Sequence, residues 1–384
     1  MKKIIISCVL VVFLISGVSA QMTVSGLLDS TISLNAGKNE SDLPDFTYGF
    51  EQFANMRFQS RLREGGTIFG AVNLIAASGI YAINLEGLGT PTDENFVAAI
   101  ELERLHYRLR GDHIDFDGGL MRLPFGYSQV WGSTDFLNPR NPLKPDARPR
   151  GILGVSLTWF PTDELKLLGF FASPRDSLSV EGKGSLFGFS VNHNWNAASV
   201  QALYSFETPN TGTALGIHRA GLSIKADVEI GLVIDALYSY DYNAGFDSDG
   251  LSLSLGADYS FFDGSLLVLA EYLYNGGKSS TAAFNSEKNL YESPFKHNLY
   301  TGFTWRFNDF TNLNVALVSS FKNMNIVLVS GYDDINFEDT FFTPMITLNH
   351  NFFQGVVFTF MVQTPFDTNE FSGVICTAKI RLRF

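Results

Sequence analysis

The chain is poor in cysteine, in charge and in long apolar runs. Of its 384 residues two are cysteines, Cys8 and Cys376. Cys8 lies in a leader-like N-terminal stretch, so the rest of the chain has no internal disulfide to rely on. Charged residues make up 17%, against about 25% in a typical soluble domain. After the first twenty positions no stretch supplies the roughly 20 uninterrupted apolar residues of a membrane helix, although hydrophobic residues reach 45%. The apolar content is therefore interleaved with polar residues. Metal-binding patterns are missing too. His106, His113, His193, His218, His297 and His350 form no HxxxH, HExxH or H-x-Glu spacing. There is no GxSxG, no phosphate-binding loop and no dinucleotide fingerprint, so the sequence indicates no enzyme, no cofactor and no metal. A net charge of −12 argues against nucleic acid as a partner.

Aromatics and glycine are what the chain has in abundance: 35 Phe, 14 Tyr and 35 Gly. Aromatics favour strands and glycine favours turns. Residues 1–20 stand apart. Lys2 and Lys3 precede an apolar core from Ile4 to Ile15, and Val18-Ser19-Ala20 is a small-residue cleavage site, so this stretch reads as a secretory signal peptide. The remaining 25 basic and 39 acidic residues give the mature chain a net charge of −14.

From Gln21 onward a period of two recurs. In Val374 to Phe384, the residues Val374, Cys376, Ala378, Ile380, Leu382 and Phe384 share one face, and Thr377, Lys379, Arg381 and Arg383 the other. Leu251–Phe261, Gly355–Gln363 and Leu299–Phe307 repeat this pattern. Near Arg104 the phase slips: Ile100 and Leu102 share a face, then Leu105, Tyr107 and Leu109 share it, which a β-bulge would absorb.

Short turns are expected at Arg63-Gly66, Arg110-His113, Pro161-Glu164, Asn194-Ala197, Ala226-Glu229, Phe262-Gly264, Phe307-Phe310 and Phe353-Gly355. Longer loops are expected near 35–45, 79–95, 124–149, 173–184, 208–215, 241–250, 276–294, 332–340 and 365–371. Aromatics such as Trp159, Trp195, Trp305 and Phe353 flank the short turns, and Tyr204, Tyr238, Tyr272 and Tyr274 flank the loops. Loop asymmetry and two aromatic girdles describe an all-β, transmembrane, antiparallel up-and-down barrel. About 18 strands are expected if Leu313–Ser330 is one strand, and 16 otherwise. An even count puts both termini in the periplasm, and the whole of 21–384 is then one outer-membrane barrel. Phe384 is expected to serve as the terminal signal read by the barrel assembly machinery. At this size the lumen should be aqueous.

The loop 124–149 is the longest and holds five prolines, Pro124, Pro139, Pro142, Pro145 and Pro149. It is expected either to fold into the lumen as a constriction or to pack over the barrel mouth. Arg122, Arg140, Lys144, Arg148 and Arg150 form a basic cluster, which lumen-facing Lys379, Arg381 and Arg383 extend. Such a cluster would favour anions, unless Asp135 and Asp146 neutralise it. Glu101, Glu103, Asp235, Asp258 and Glu271 are expected to add negative charge inside.

The segment Trp131-Gly132 with Asp135-Phe136-Leu137-Asn138-Pro139 resembles a WG…D.hNP pattern in loops of outer-membrane porins related to the phosphate- and oligosaccharide-selective barrels. The resemblance implies passive passage of small hydrophilic solutes through a lipid-embedded barrel, as a homotrimer. Two other classes remain open. A FadL-like transporter of hydrophobic substrates would use inward Val233, Leu237, Leu267, Leu269 and Leu273. A surface adhesin or structural barrel would carry its function in the loops. An outer-membrane phospholipase is disfavoured because Ser190-Val191-Asn192-His193 lacks the required Ser-His arrangement. His193 beside Trp195 reads as an interface residue.

Overall fold

The computed structural model describes residues 21–38, 44–62, 65–83, 90–93, 96–137, 142, 151–173, 185–208, 216–241, 250–276, 295–329, 332–353, 355–367, 370–371 and 373–384. The signal-peptide reading of residues 1–20 lies outside them.

Period-two alternation with glycine-bearing turns cannot fold as amphipathic helix, and the chain forms a single closed antiparallel sheet. Its staves are β1 (Gln21–Lys38), β2 (Pro44–Arg61), β3 (Gly66–Gly79), β4 (Phe96–Arg110), β5 (Ile114–Met121) and β6 (Ile152–Trp159). Next come β7 (Leu165–Ala172), β8 (Leu186–Asn194), β9 (Ala198–Glu207), β10 (Ile217–Val228), β11 (Ile230–Asp241) and β12 (Leu251–Phe261). The last six are β13 (Leu266–Asn275), β14 (His297–Asn308), β15 (Thr311–Val329), β16 (Tyr332–Phe353), β17 (Val356–Gln363) and β18 (Gly373–Arg383). Each stave pairs antiparallel with the next, and β18 closes on β1 with Ser33 opposite Thr377 and Asp29 opposite Arg381. Closure leaves no strand edge, which is what a sheet in hydrocarbon needs, because lipid cannot satisfy unpaired N–H and C=O groups.

All eight expected short turns fall between consecutive strands, and the 18-strand reading holds, with Leu313–Val329 of the expected Leu313–Ser330 strand inside β15 and Ser330 outside the described residues. One loop does not. Residues 332–340 belong to β16, whose ladder with β15 runs on to Val329 opposite Tyr332. The reason is that the alternating backbone goes on pairing as a two-stranded ribbon. In the same way β1 and β2 stay paired as far as Lys38 opposite Pro44, inside the expected 35–45 loop.

The two faces differ chemically. Outward side chains such as Ile100, Leu153, Val155, Leu157, Phe189, Ile234, Leu255, Ile346 and Phe360 are exposed hydrophobics that continue around the barrel. A belt of that extent is far beyond what water-exposed surfaces tolerate, so the barrel spans a membrane. Trp159, Trp195, Phe262, Trp305, Phe307, Phe310, Phe352 and Phe353 are exposed around the short-turn rim. His193 packs edge-on against Trp195 with ring centroids 4.4 Å apart. Near the other rim the Tyr204 and Tyr272 hydroxyls lie 2.7 Å from Nδ1 of His218 and His297. Phe384 also sits on the short-turn rim, where its backbone exchanges hydrogen bonds with Gly26. A Cβ at Gly26 would meet the Phe384 ring at 2.6 Å, so the glycine makes room for the terminal aromatic.

The phase slip near Arg104 is a bulge. The β3–β4 register shifts between Ala71 and Val72, whose partners are Arg104 and Leu102, so Glu103 is the extra residue. Ile100, Leu102 and Leu109 consequently all remain outward and exposed.

Candidate functional site

The buried clusters of this barrel lie inside it, under two segments that fold inward from the long-loop rim. The smaller is one helical turn, Ile80–Ile83, following β3. Ala82 packs with Ile75, Ala77, Val97 and Ala99, and Phe53 and Tyr81 cover that group. The Tyr81 hydroxyl lies 2.5 Å from Ser33 Oγ, which is 2.7 Å from Thr377 Oγ1, so the turn straddles the β1–β18 seam. Burial raises the Tyr81 phenol above its ordinary pKa, leaving it a neutral hydrogen-bonding group.

The larger segment follows β5 and runs from Arg122 to Leu137. Its ends are apolar. Met121, Leu123, Phe125 and Leu137 are buried against Ile152, Leu168, Phe170, Ala172, Leu186 and Leu203 on the inner faces of β6 to β9. Val130 and Trp131 pack on Leu273, Ala316, Val318 and Met345 of β13, β15 and β16. The middle is polar and bonds side chains projecting inward from successive strands. Gly126 N–H donates to Gln201 Oε1 at 2.7 Å, and Asn192 Nδ2 donates to the Tyr127 hydroxyl at 2.7 Å. Thr134 Oγ1 lies 3.1 Å from Ser223 Oγ. Gln129 Nε2 donates to Asp258 Oδ1 at 3.0 Å. Burial also raises the Tyr127 phenol, which keeps its proton.

Two carboxylates carry most of this seat. Asp235, fully buried, accepts the N–H groups of Tyr127 (3.1 Å) and Ser128 (2.8 Å). Glu271, also buried, accepts Gln129 N–H (2.9 Å) and Val130 N–H (3.0 Å) on Oε2. Its Oε1 accepts Trp131 N–H (2.8 Å), Ser254 Oγ–H (2.9 Å) and the Ser128 hydroxyl. The Trp131 indole N–H donates to the Glu271 backbone carbonyl at 3.0 Å. Successive main-chain N–H groups turned toward one point form a nest for an anion, and here the protein supplies that anion itself. Each charge-assisted bond contributes about 1.5–3 kcal/mol. The chain reverses at Gly126 (φ 78°) and Gly132 (φ 58°). A Cβ on Gly126 would come within 2.5 Å of Asp235 Oδ2, so only glycine fits there.

The base of the segment is fixed by the bulge. Arg122 Nη2 donates to Glu103 Oε1 at 3.1 Å, and Gly151 N–H donates to the Glu103 carbonyl oxygen at 3.1 Å. Asn55 Nδ2 donates to Glu103 Oε2 at 2.7 Å and to Asn73 Oδ1 at 2.6 Å. Arg104 Nε lies 3.3 Å from Glu103 Oε1. The bulged residue thus has its carbonyl out of the ladder and gives it to the returning end of the long connection.

The structure therefore separates the residues grouped by sequence. Arg122 lies beside Glu103, and Asp135 is buried within the inward segment. Arg140, Lys144, Arg148, Arg150 and Asp146 lie outside the described residues. Lys379, Arg381 and Arg383 share the inner face of β18, and Arg381 makes a two-point pair with Asp29, Nε to Oδ1 and Nη2 to Oδ2 both at 2.7 Å. Sequence reading had no signal for Asp29, because facing residues on the first and last strands are identified only by the closing register. The receptors Gln201, Ser223 and Ser254 were missed for the same reason. Asp235 and Glu271 were placed inside correctly, but as lumen charge and not as ligands of the loop backbone. The inward Val233, Leu237 and Leu273 are buried, and Leu273 lies under Val130 and Trp131.

No family model matches the chain, and no curated protein matches it. Solved structures do. Acinetobacter baumannii OccAB4 superposes with a TM-score of 0.60 at 12% identity, covering 95% of this chain and 98% of that one. Pseudomonas aeruginosa OccK8 (OprE) gives 0.61 at 11% identity, with 95% and 98% covered. A BenF-like porin from Pseudomonas fluorescens Pf-5 gives 0.61 at 10% identity, with 95% and 99% covered. At these identities the likeness is one of fold: the chain has the 18-strand barrel of outer-membrane porin structures.

Proposed function

We propose that the chain is an outer-membrane channel for passive diffusion of small hydrophilic solutes, narrowed by its 122–137 segment. The observation that carries this reading is the inward segment itself. A barrel of this strand number is too wide for its own side chains to fill. Here a dedicated stretch of backbone occupies part of the width and is bonded to polar side chains of the wall. That arrangement narrows an aqueous passage without closing it with an apolar plug. The porin-like solved structures support the same reading.

In this proposal both termini are periplasmic in a diderm bacterium, Phe384 is read by the assembly machinery, and the barrel assembles as a homotrimer. The channel prefers anions. The support is that Asp235 and Glu271 spend their charge on main-chain N–H groups, while Lys379 and Arg383 stand on the inner face and Arg140, Lys144, Arg148 and Arg150 follow the inward segment in the sequence. The hydrophobic-transporter reading is weaker, since Leu273 serves as part of the floor under Trp131.

The test is planar-bilayer recording of purified protein. Discrete conductance steps are expected in concentrated KCl, and their absence sinks the channel reading. In a KCl gradient the reversal potential is expected on the chloride side, and replacing Arg140, Arg148 and Arg150 by Ala should move it toward potassium.

A further inference from the structure

Asp235 and Glu271 look, by position, like the acidic residues of a cation filter, yet neither has an oxygen turned to a solute. Both Glu271 oxygens are occupied: Oε1 by Trp131 N–H, Ser254 and Ser128, Oε2 by Gln129 and Val130 N–H. Asp235 takes Tyr127 and Ser128 N–H in the same way. Glu103, at the bulge, holds Arg122 at the start of the segment and Gly151 at the end of the connection. The Glu103 carboxylate thus holds the start of the connection, its main-chain carbonyl holds the returning end, and the Asp235 and Glu271 carboxylates hold the stretch between.

We infer that Glu103, Asp235 and Glu271 are positioning residues that fix the 122–137 segment as a static part of the channel wall, and that their charges do not select ions. This deepens the channel reading and rests on it. The chemistry makes the role specific. An amide has one acceptor oxygen and one NH2. Whichever way a glutamine at 271 turned, its NH2 would point at N–H donors. Glu271→Gln should therefore loosen the segment as Glu271→Ala does, although it keeps the length and polarity of the side chain.

The experiment uses the full-length protein with Cys376→Ala, Ser128→Cys and Ser254→Cys; the two serine oxygens lie 2.9 Å apart. Oxidation is expected to link the two cysteines in membranes, seen as a shift in gel mobility that reductant reverses. Failure to link places the segment elsewhere and overturns the inference, whatever the conductance. In bilayers, Glu271→Ala and Glu271→Gln should each raise open-channel current fluctuations about tenfold, with the chloride-to-potassium permeability ratio staying within about twofold of the parent. Adding the oxidised 128–254 link to Glu271→Ala should suppress those fluctuations, and reductant should bring them back. A quiet Glu271→Ala channel with a large gain in chloride preference would make Glu271 a lining charge and reject the positioning role. Absence of any conductance from the parent would instead reject the channel reading, while the cross-link would still report the segment's place.

Discussion

At the scale of residues, the barrel is closed by an ion pair that no local pattern announces. Asp29 and Arg381 face each other across the first and last strands, and their side chains are only 9% and 17% exposed. The pair has good two-point geometry, so removing one partner leaves a charge facing a largely desolvated neighbour. A fully buried pair loses about 3–5 kcal/mol on such truncation, and the nearby aqueous lumen lowers this to about 2–3 kcal/mol. Arg381→Ala is therefore expected to lower the unfolding free energy of detergent-folded protein by that amount, read as a lower denaturant midpoint at unchanged m-value. Asp29→Leu combined with Arg381→Met should recover part of the loss, because no unpaired charge remains. A single variant indistinguishable from the parent would show that the seam is held by its backbone ladder alone. Sequence alternation already put Arg381 inside. It could not give Asp29, because a residue's partner in a closed sheet lies at the other end of the chain.

At the scale of elements, the bulge at Glu103 shows how an apparent defect in alternation becomes a fixture. A strand that slips by one residue turns its whole apolar set to the wrong face. Glu103 is the residue that absorbs the slip, so Leu105, Tyr107 and Leu109 recover the outward phase of Ile100 and Leu102. Deleting Glu103 should leave a regular β4 with every outward residue still facing lipid. The deletion is expected to keep the heat-modifiable band of an assembled barrel and to lose the anchor for Arg122 and Gly151. Deleting Ser223 from β10 should abolish that band, because Ile224, Ala226 and Val228 would then turn inward. Equal loss of assembly in both deletions would mean that the bulge is needed for folding and not for holding the connection. The slip was legible as a break in period. Its purpose was not, since the bond from Gly151 to the Glu103 carbonyl joins positions far apart in the sequence.

At the scale of the molecule, the strands and the inward segment are two constructions with different requirements. The strands need alternation, turns and girdles, all local in sequence, and these were readable in Leu251–Phe261 and in the Trp195 and Trp305 turns. The segment needs a floor, and its floor is assembled from single residues on many strands: Gln201, Ser223, Asp235, Ser254, Glu271 and Leu273. Because the ladder closes without it, replacing residues 124–137 by a short Gly-Ser linker should leave an assembled barrel. Conductance is expected to rise severalfold as the passage widens. Selectivity should change in a direction that the clamp dictates. With Tyr127, Ser128, Gln129, Val130 and Trp131 gone, Asp235 and Glu271 lose their main-chain donors and face the lumen as bare carboxylates. Rings of exposed acidic side chains favour cations, so the reversal potential in a KCl gradient should move toward potassium. Adding Asp235→Asn and Glu271→Gln to the shortened barrel should reverse most of that move, the remainder belonging to Asp258 on β12, which loses its bond from Gln129. A wide channel whose selectivity is unchanged by the deletion would show that the two carboxylates were already open to the lumen with the segment in place.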